Sequence, residues 1–275
     1  MDVIRPTGGR WDCHTHIYGP WQAFPLPEDA VYHPHEAPMT SLLDMHRKLR
    51  ISHGVLVQAA CYRTDHAALL DALASTEGRY KGIALLGGSE SDSQLEALHN
   101  GGVRGVRFNF MGHLAKPPNL RVLGALAERV GSLGWHVLLH GRLAQILPIL
   151  ENWRKLRTTL VIDHMGRPDR GLNADLDGLA ALRRYLDNQY RWIKLSGVDR
   201  MMSGSNEPWS RAGPHVRALL AAAPERAVWG SDWPHPNIEG DVPDDAKLLA
   251  FIEEVCGDAK TADAVLVHNP HRLYR

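Results

Sequence analysis

His14 and His16 stand two residues apart in Arg10-Trp-Asp-Cys-His-Thr-His16. The segment reads as a short strand, and strand side chains alternate faces, so the two imidazoles point the same way with only Thr15 between them. Two imidazoles on one face are either a metal clamp or a pair of hydrogen-bond donors aimed at one oxygen. A bare His-x-His pair is common by chance. This one gains weight from His140, His164 and Asp232, each of which follows a short apolar run. Asp232 is the natural general base among them, since a carboxylate accepts a proton and orients water. Its bland alternative is a turn or cap residue, because Asp-x-Pro is turn chemistry.

Arg107, Arg167 and Arg200 fall at or just beyond the same strand ends. Guanidinium groups grip carboxylates bidentately, so three near one pocket imply an anionic substrate. Against this, one or two could pair with Asp169, Asp199 or another acidic neighbour. Alternation puts Cys13 and Thr15 on the face opposite the histidines, which makes Cys13 a packing residue. His136 shares the face of His140 but lies two positions deeper, and reads as a hydrogen-bonded core histidine.

What must position these groups is an alternation of short apolar runs and helix-like stretches along the whole chain. Eight candidate strands fall at 11–14, 54–59, 82–86, 103–108, 136–140, 159–163, 192–196 and 227–230, bounded by Gly, Asp or Ser. Helical periodicity lies between them, as in Leu120, Leu123, Leu126, Ala127 and Val130. Pro243 with Asp244 and Asp245 marks a helix start. Strands alternating with helices pair in parallel through crossovers, and eight such units close into a (β/α)8 TIM barrel. A doubly wound open sheet is the runner-up, but no Gly-x-Gly-x-x-Gly follows the first strand. The chain reads as one domain over 1–275. One stretch, about 17–39, breaks the rhythm with five prolines and four aromatics. It is too proline-rich for a helix and too aromatic for disorder, so it reads as a loop covering the barrel mouth, with a packed Ω-loop as the alternative.

Composition narrows the function classes. The 275 residues are 44% hydrophobic, enough for a sizeable core. Lys+Arg and Asp+Glu balance at 31 each, so there is no basic footprint for nucleic acid. Three scattered cysteines do not make a disulfide framework and fit a reducing cytoplasm. No apolar run approaches a membrane span, and no signal-peptide pattern opens the chain. A monomer and a homo-oligomer are both compatible with this reading.

Read in order, the strand ends carry the motifs Asp12-Cys-His-Thr-His16 with Tyr18-Gly-Pro20, Val106-Arg-Phe-Asn-Phe110 and Gly134-Trp-His136. They continue through Asp163-His-Met-Gly-Arg-Pro-Asp169, Trp229-Gly-Ser-Asp-Trp-Pro-His-Pro-Asn237 and Asn269-Pro-His-Arg-Leu-Tyr274. On these strings the chain resembles an amidohydrolase-superfamily barrel nearly end to end. More closely, it is similar to the metal-optional branch holding pyrone-dicarboxylate, sugar-lactone and sulfomuconolactone hydrolases. The resemblance implies hydrolysis of a lactone bearing carboxylate groups, with Asp232, His164, His14 and His16 as catalytic residues. It implies substrate contacts from Arg107, Arg167 and Arg200, from Tyr32, which matches the branch's loop tyrosine, and from His113.

Two departures bear on this. The pyrone-dicarboxylate enzymes carry a second arginine where this chain has His113, and a tyrosine where it has His140. His14, His16, His140 and Asp232 together match the mononuclear set of the wider superfamily, which suits one divalent zinc or manganese ion and leaves His164 for acid–base work. A metal-free alternative keeps the histidines as donors to the carbonyl oxygen. The departures point away from pyrone dicarboxylate and toward another carboxylated or sugar-acid lactone. A metal-dependent decarboxylase or hydratase and a lactone isomerase are the remaining activities that the superfamily suggests.

Overall fold

The apolar runs become the eight strands of one parallel sheet in the computed structural model, which describes residues 9–112, 114, 119–168, 176–202, 208–238 and 241–275. The strands are β1 (Arg10–Thr15), β2 (Ile51–Val57), β3 (Tyr80–Ala84), β4 (Val103–Asn109), β5 (His136–His140), β6 (Leu160–Ile162), β7 (Arg191–Leu195) and β8 (Ala227–Trp229), paired in sequential order. They are buried almost throughout, which is why they read as apolar runs.

Helices α1 (Met39–Leu49), α2 (Ala67–Ala74), α3 (Asp92–Asn100), α4 (Leu120–Ser132), α5 (Leu143–Asn152), α6 (Leu176–Leu186), α7 (Gly213–Ala222) and α8 (Asp245–Cys256) follow the strands in turn. α4 shows the rule: Leu123, Leu126, Ala127 and Val130 are its buried face, at i, i+3, i+4 and i+7. α8 starts where Pro243-Asp-Asp places it, with the Asp244 carboxylate accepting from the amides of Ala246 and Lys247. The result is the expected (β/α)8 barrel.

The seam between β8 and β1 lies beside the chemistry. The Asp232 amide donates to the His14 carbonyl (2.9 Å), the His16 amide to the Trp233 carbonyl (2.8 Å), and the Ser231 amide to Asp12 Oδ1 (2.9 Å). Gly230 permits this approach, since a Cβ there would stand 2.5 Å from His14 Cβ and 2.6 Å from its amide nitrogen.

Simple alternation fails in β1. Asp12 pairs with Gly54 and Thr15 with Leu56, so three steps on β1 oppose two on β2. This bulge re-aims the side chains beyond it. Cys13 packs inside the barrel with Trp11, Val55, Leu138, Val161 and Val228, while His14 also reaches the interior, against Asp163 and Lys194. Cys13 is a packing residue as expected, but it is not turned away from the histidines.

The segment between β1 and α1 has no α-helix. Tyr18 and Ala37 exchange both backbone hydrogen bonds (2.9 and 2.8 Å). The Tyr62 hydroxyl accepts from the Gly19 amide and donates to the Phe24 carbonyl. Thus pinned, the loop presents Tyr32 to the barrel mouth, its hydroxyl 3.2 Å from that of Tyr18.

Candidate active site

At the C-terminal end of the strands lies a cavity of about 240 Å³, lined by His16, Tyr32, Arg107, His140, Arg142, His164, Arg167, Arg200 and Asp232 among others. Two buried carboxylates organise it. Asp163 follows β6, and its Oδ2 accepts two hydrogen bonds from Arg107, Nε at 3.1 Å and Nη2 at 2.8 Å. Its Oδ1 lies 3.1 Å from His14 Nδ1 and 3.6 Å from Lys194 Nζ. Asp232 follows β8 with a left-handed backbone (φ 68°). Its Oδ2 accepts from Arg200 Nε at 3.0 Å and Nη2 at 2.7 Å. Its Oδ1 faces three imidazole nitrogens, at 3.6 Å from His14 Nε2, 3.6 Å from His16 Nε2 and 4.0 Å from His164 Nε2.

The histidines are held from behind. His16 Nδ1 donates to the Val57 carbonyl at 2.7 Å, because a carbonyl cannot donate, so Nε2 is the nitrogen that a neutral ring would leave as acceptor. His164 Nδ1 lies 2.9 Å from Ser196 Oγ. A run of left-handed residues, His164, Met165, Gly166 and Arg167, turns His164 and Arg167 toward the cavity immediately after Asp163. Strained backbone of this kind persists where the surroundings over-determine it.

Burial and charge set the protonation states. Burial pushes His14 down to about 3, against the opposing pull of Asp163. Burial also holds His140 and His164 well below the usual histidine range, so all three are neutral at pH 7. For Asp163 burial opposes ionisation, but His14, His164, Lys194 and Arg107 outweigh it and hold the carboxyl well below the usual range. Arg200, His164, His16 and His14 do the same for Asp232. The site at neutral pH therefore holds two carboxylates among guanidinium groups and the neutral rings of His14, His140 and His164.

The five groups expected to converge do so. The rings of His14 and His164 are 4.5 Å apart, and those of His140 and His164 5.4 Å. The expected ligand set does not hold together in full. The described three-donor groups are His14, His16 and Asp232, and His14, Asp163 and His164. His140 joins neither; its Nδ1 faces Asn109 Oδ1 at 3.2 Å and its Nε2 accepts from Arg167 Nε at 3.2 Å.

The arginines also divide. Arg107 and Arg200 each grip a protein carboxylate, whereas among the described residues Arg167 makes its hydrogen bond to the neutral His140 ring. Burial, then the charge of Arg200, bring Arg167 down to about 10, so it stays cationic. Arg200 pairs chiefly with Asp232 at 2.7 Å and more loosely with Asp199 at 3.9 Å. His113 and Asp169 lie outside the described residues. His136 is buried as expected, but neither ring nitrogen has a hydrogen-bond partner among the described residues.

Sequence reasoning missed Asp163, Lys194 and Arg142 as site residues. Lys194 had a signal: a charged side chain in the middle of a fully buried parallel strand demands a partner.

The donor triangle can be tested against an ion. His14 Nε2 and His16 Nε2 are 3.2 Å apart and each 3.6 Å from Asp232 Oδ1. Tetrahedral zinc with bonds near ~2.0–2.1 Å spaces its ligands by about 3.3 Å, so these three atoms fit one face of such a site. The Val57 carbonyl and Asp163 stand behind the two imidazoles, as second partners of metal-bound histidines do. The other group is a poorer fit, because Arg107 and Lys194 already neutralise Asp163.

Known proteins share this architecture. The chain is 35% identical over 274 residues to a 2-pyrone-4,6-dicarboxylate hydrolase from Comamonas testosteroni, covering 97% of this chain and 90% of that protein. It is 30% identical over 269 residues to a 4-sulfomuconolactone hydrolase from Rhizobium radiobacter, with 97% and 90% covered. Among solved structures, a probable 2-pyrone-4,6-dicarboxylic acid hydrolase from Acinetobacter baumannii, with citric acid bound, superposes with a TM-score of 0.85 at 26% identity, covering 97% of this chain and 99% of that one. The amidohydrolase family model matches residues 11–275. With the barrel, the strand-end site and these matches in agreement, the chain belongs to the amidohydrolase family.

Proposed function

We propose that this protein hydrolyses a carboxylated lactone, a dicarboxylate or sugar-acid lactone, to the ring-opened acid. The observation that carries the reading is Asp232, one oxygen clamped by Arg200 and the other facing the cavity among three imidazoles. Lactone opening needs a base for water and donors for the developing oxyanion. Asp232 Oδ1 takes the proton of the attacking water. His164 Nε2, with Ser196 on its other nitrogen, donates to the carbonyl oxygen as charge develops there. It then stands within reach of the leaving ring oxygen. A divalent zinc or manganese ion bound by His14 Nε2, His16 Nε2 and Asp232 Oδ1 would supply Lewis-acid polarisation of the carbonyl and a more acidic water. His140 stays outside that ligand set and braces Arg167.

Substrate charge is read mainly by Arg167, with Arg107, Arg200 and the loop residue Tyr32 completing the cavity wall. The citric acid bound to the Acinetobacter relative is a polycarboxylate, in keeping with an anionic ligand. Cys13, Cys61 and Cys256 are free and buried, which fits a reducing cytoplasm. No helix among the described residues is long and apolar enough to cross a membrane.

Turnover of carboxylated lactones in oxygen-18 water tests the reading. Hydrolysis places one label in the newly formed carboxylate. An unlabelled product that keeps the substrate's mass would identify an isomerase, and release of CO2 a decarboxylase. Either would overturn the proposal.

A further inference from the structure

Lys194 is wholly buried inside the barrel, with its Nζ 3.2 Å from His14 Nδ1 and 3.6 Å from Asp163 Oδ1. It lines no part of the cavity and touches none of the groups assigned to proton transfer. His14 Nδ1 therefore has two competing partners, a donor in Lys194 and an acceptor in Asp163 at 3.1 Å. A neutral imidazole has one N–H, so the choice made at Nδ1 fixes what Nε2 offers on the other side of the ring.

The two choices differ in what they do to the site. If Nδ1 carries the proton and donates to Asp163, His14 Nε2 is a bare lone pair. It then faces the lone pair of His16 Nε2 at 3.2 Å, with the Asp232 carboxylate 3.6 Å from both. Three electron-rich atoms in a buried triangle repel unless a cation sits among them. If Lys194 donates to Nδ1, the proton is on Nε2 and His14 donates to His16 Nε2. The chain of contacts then runs donor to acceptor, Lys194 to His14, His14 to His16, and His16 to the Val57 carbonyl, and the one acceptor pair left, His14 Nδ1 and Asp163 Oδ1 at 3.1 Å, is bridged by the Lys194 ammonium at 3.2 and 3.6 Å.

We propose that Lys194 is a positioning residue that sets the tautomer of His14. It holds the Nε2–H form that keeps the His14–His16 pair stable without an ion, and it yields to Asp163 when a divalent cation takes the lone pair. In that exchange the ring loses a proton at Nε2 and gains one at Nδ1, so its net protonation is unchanged. The ammonium of Lys194 swings its hydrogen bond from the ring to Asp163. The chain thereby carries, beneath its first strand, the means to run the same two histidines either as hydrogen-bond donors or as metal ligands.

The test uses the full-length protein, stripped of metal and labelled with nitrogen-15 histidine, with the His14 signals assigned by their loss in His14→Gln. Nitrogen shifts separate protonated from lone-pair ring nitrogens. In metal-free wild type His14 should be the Nε2–H tautomer, and zinc should convert it to Nδ1–H. Lys194→Met should show Nδ1–H even without metal and should bind zinc at least about tenfold more tightly, the scale on which outer partners tune a site. An Nδ1–H tautomer in metal-free wild type overturns the proposal, and this reading is available even if the variant does not fold. Tighter zinc binding by Lys194→Met with an unchanged tautomer also overturns it, since loss of a positive charge would then be the whole effect. The wild-type tautomer does not depend on the substrate or on lactone hydrolysis, so its failure is distinct from failure of the proposed function.

Discussion

Asp163 and Asp232 are the same residue type, each following a barrel strand and each clamped by an arginine through one oxygen, yet the structure uses them differently. The second oxygen of Asp163 is also committed, to His14 and Lys194, and its side chain is wholly buried. The second oxygen of Asp232 lies 3.6–4.0 Å from its nearest partners and borders the cavity. A carboxylate boxed in on both oxygens holds a site together, whereas one with an oxygen left over is free to accept a proton.

Removing the first carboxylate should have the largest effect, and it should be on stability. Asp163→Asn leaves Arg107 and Lys194 as buried charges without their counter-ion. Breaking a buried pair this way costs about 3–5 kcal/mol, readable as a lower urea midpoint. If Asp163→Asn proves as stable as wild type, the contrast drawn here between the two carboxylates is wrong.

Asp232→Asn should reverse the pattern. The fold should persist, because Arg200 keeps its bond to the Pro236 carbonyl (3.0 Å), while kcat falls by at least about 10²-fold, or roughly 2.7 kcal/mol. Its pH profile sharpens the point. Asp232 is held below the ordinary carboxylate range, so its basic form is present at neutral pH and is lost only as pH falls through that lowered value. Wild-type kcat should be flat from pH 7 to pH 5 as far as this group governs it, and the limb seen at lower pH should vanish in the asparagine variant.

The arginines extend the comparison. Arg167→Ala should raise KM for an anionic lactone roughly ten- to a hundredfold and much less for its methyl ester, because among the described residues no carboxylate clamps its guanidinium. Arg107→Ala should instead act through Asp163 and lower stability with acid and ester substrates affected alike.

The smallest effect concerns the support of Asp232. The His235 amide donates to the Asp232 carbonyl at 2.7 Å, and its ring lies 2.9 Å from Asp245 Oδ1. Burial opposes protonation of His235, but the bond to Asp245 outweighs it and raises the ring above the usual range. A raised group contributes stability that is full below its unfolded value near ~6.5 and is lost as pH rises through the folded value. Asp245→Asn should therefore cost about 1 kcal/mol at pH 6 and little at pH 9, measured by thermal melts at both.

Much of this was legible in the chain. All eight strands are close to where their apolar runs put them, because a strand buried on both faces leaves little room for polar residues. His14, His16, His140, His164 and Asp232 were legible because ionisable groups stand out at the ends of such runs. Less visible was the bulge in β1, since alternation assumes a regular register and Cys13 carries no sign of the extra residue. Nor does a sequence show which acid an arginine will meet: the partners of Arg107 and Arg200 are 56 and 32 residues away. His140 shows the same limit. Its residue type suits a metal, but its neighbours Asn109 and Arg167 engage both nitrogens.

The central claim is that Asp232 Oδ1 activates water and does not itself attack the lactone. A single turnover in oxygen-18 water, with enzyme in excess over substrate, tests it most directly. Water attack places one label in the product carboxylate in that first turnover and none in the peptide containing Asp232. Label in the Asp232 peptide, with an unlabelled first product, would show that the carboxylate is the nucleophile and would contradict the account.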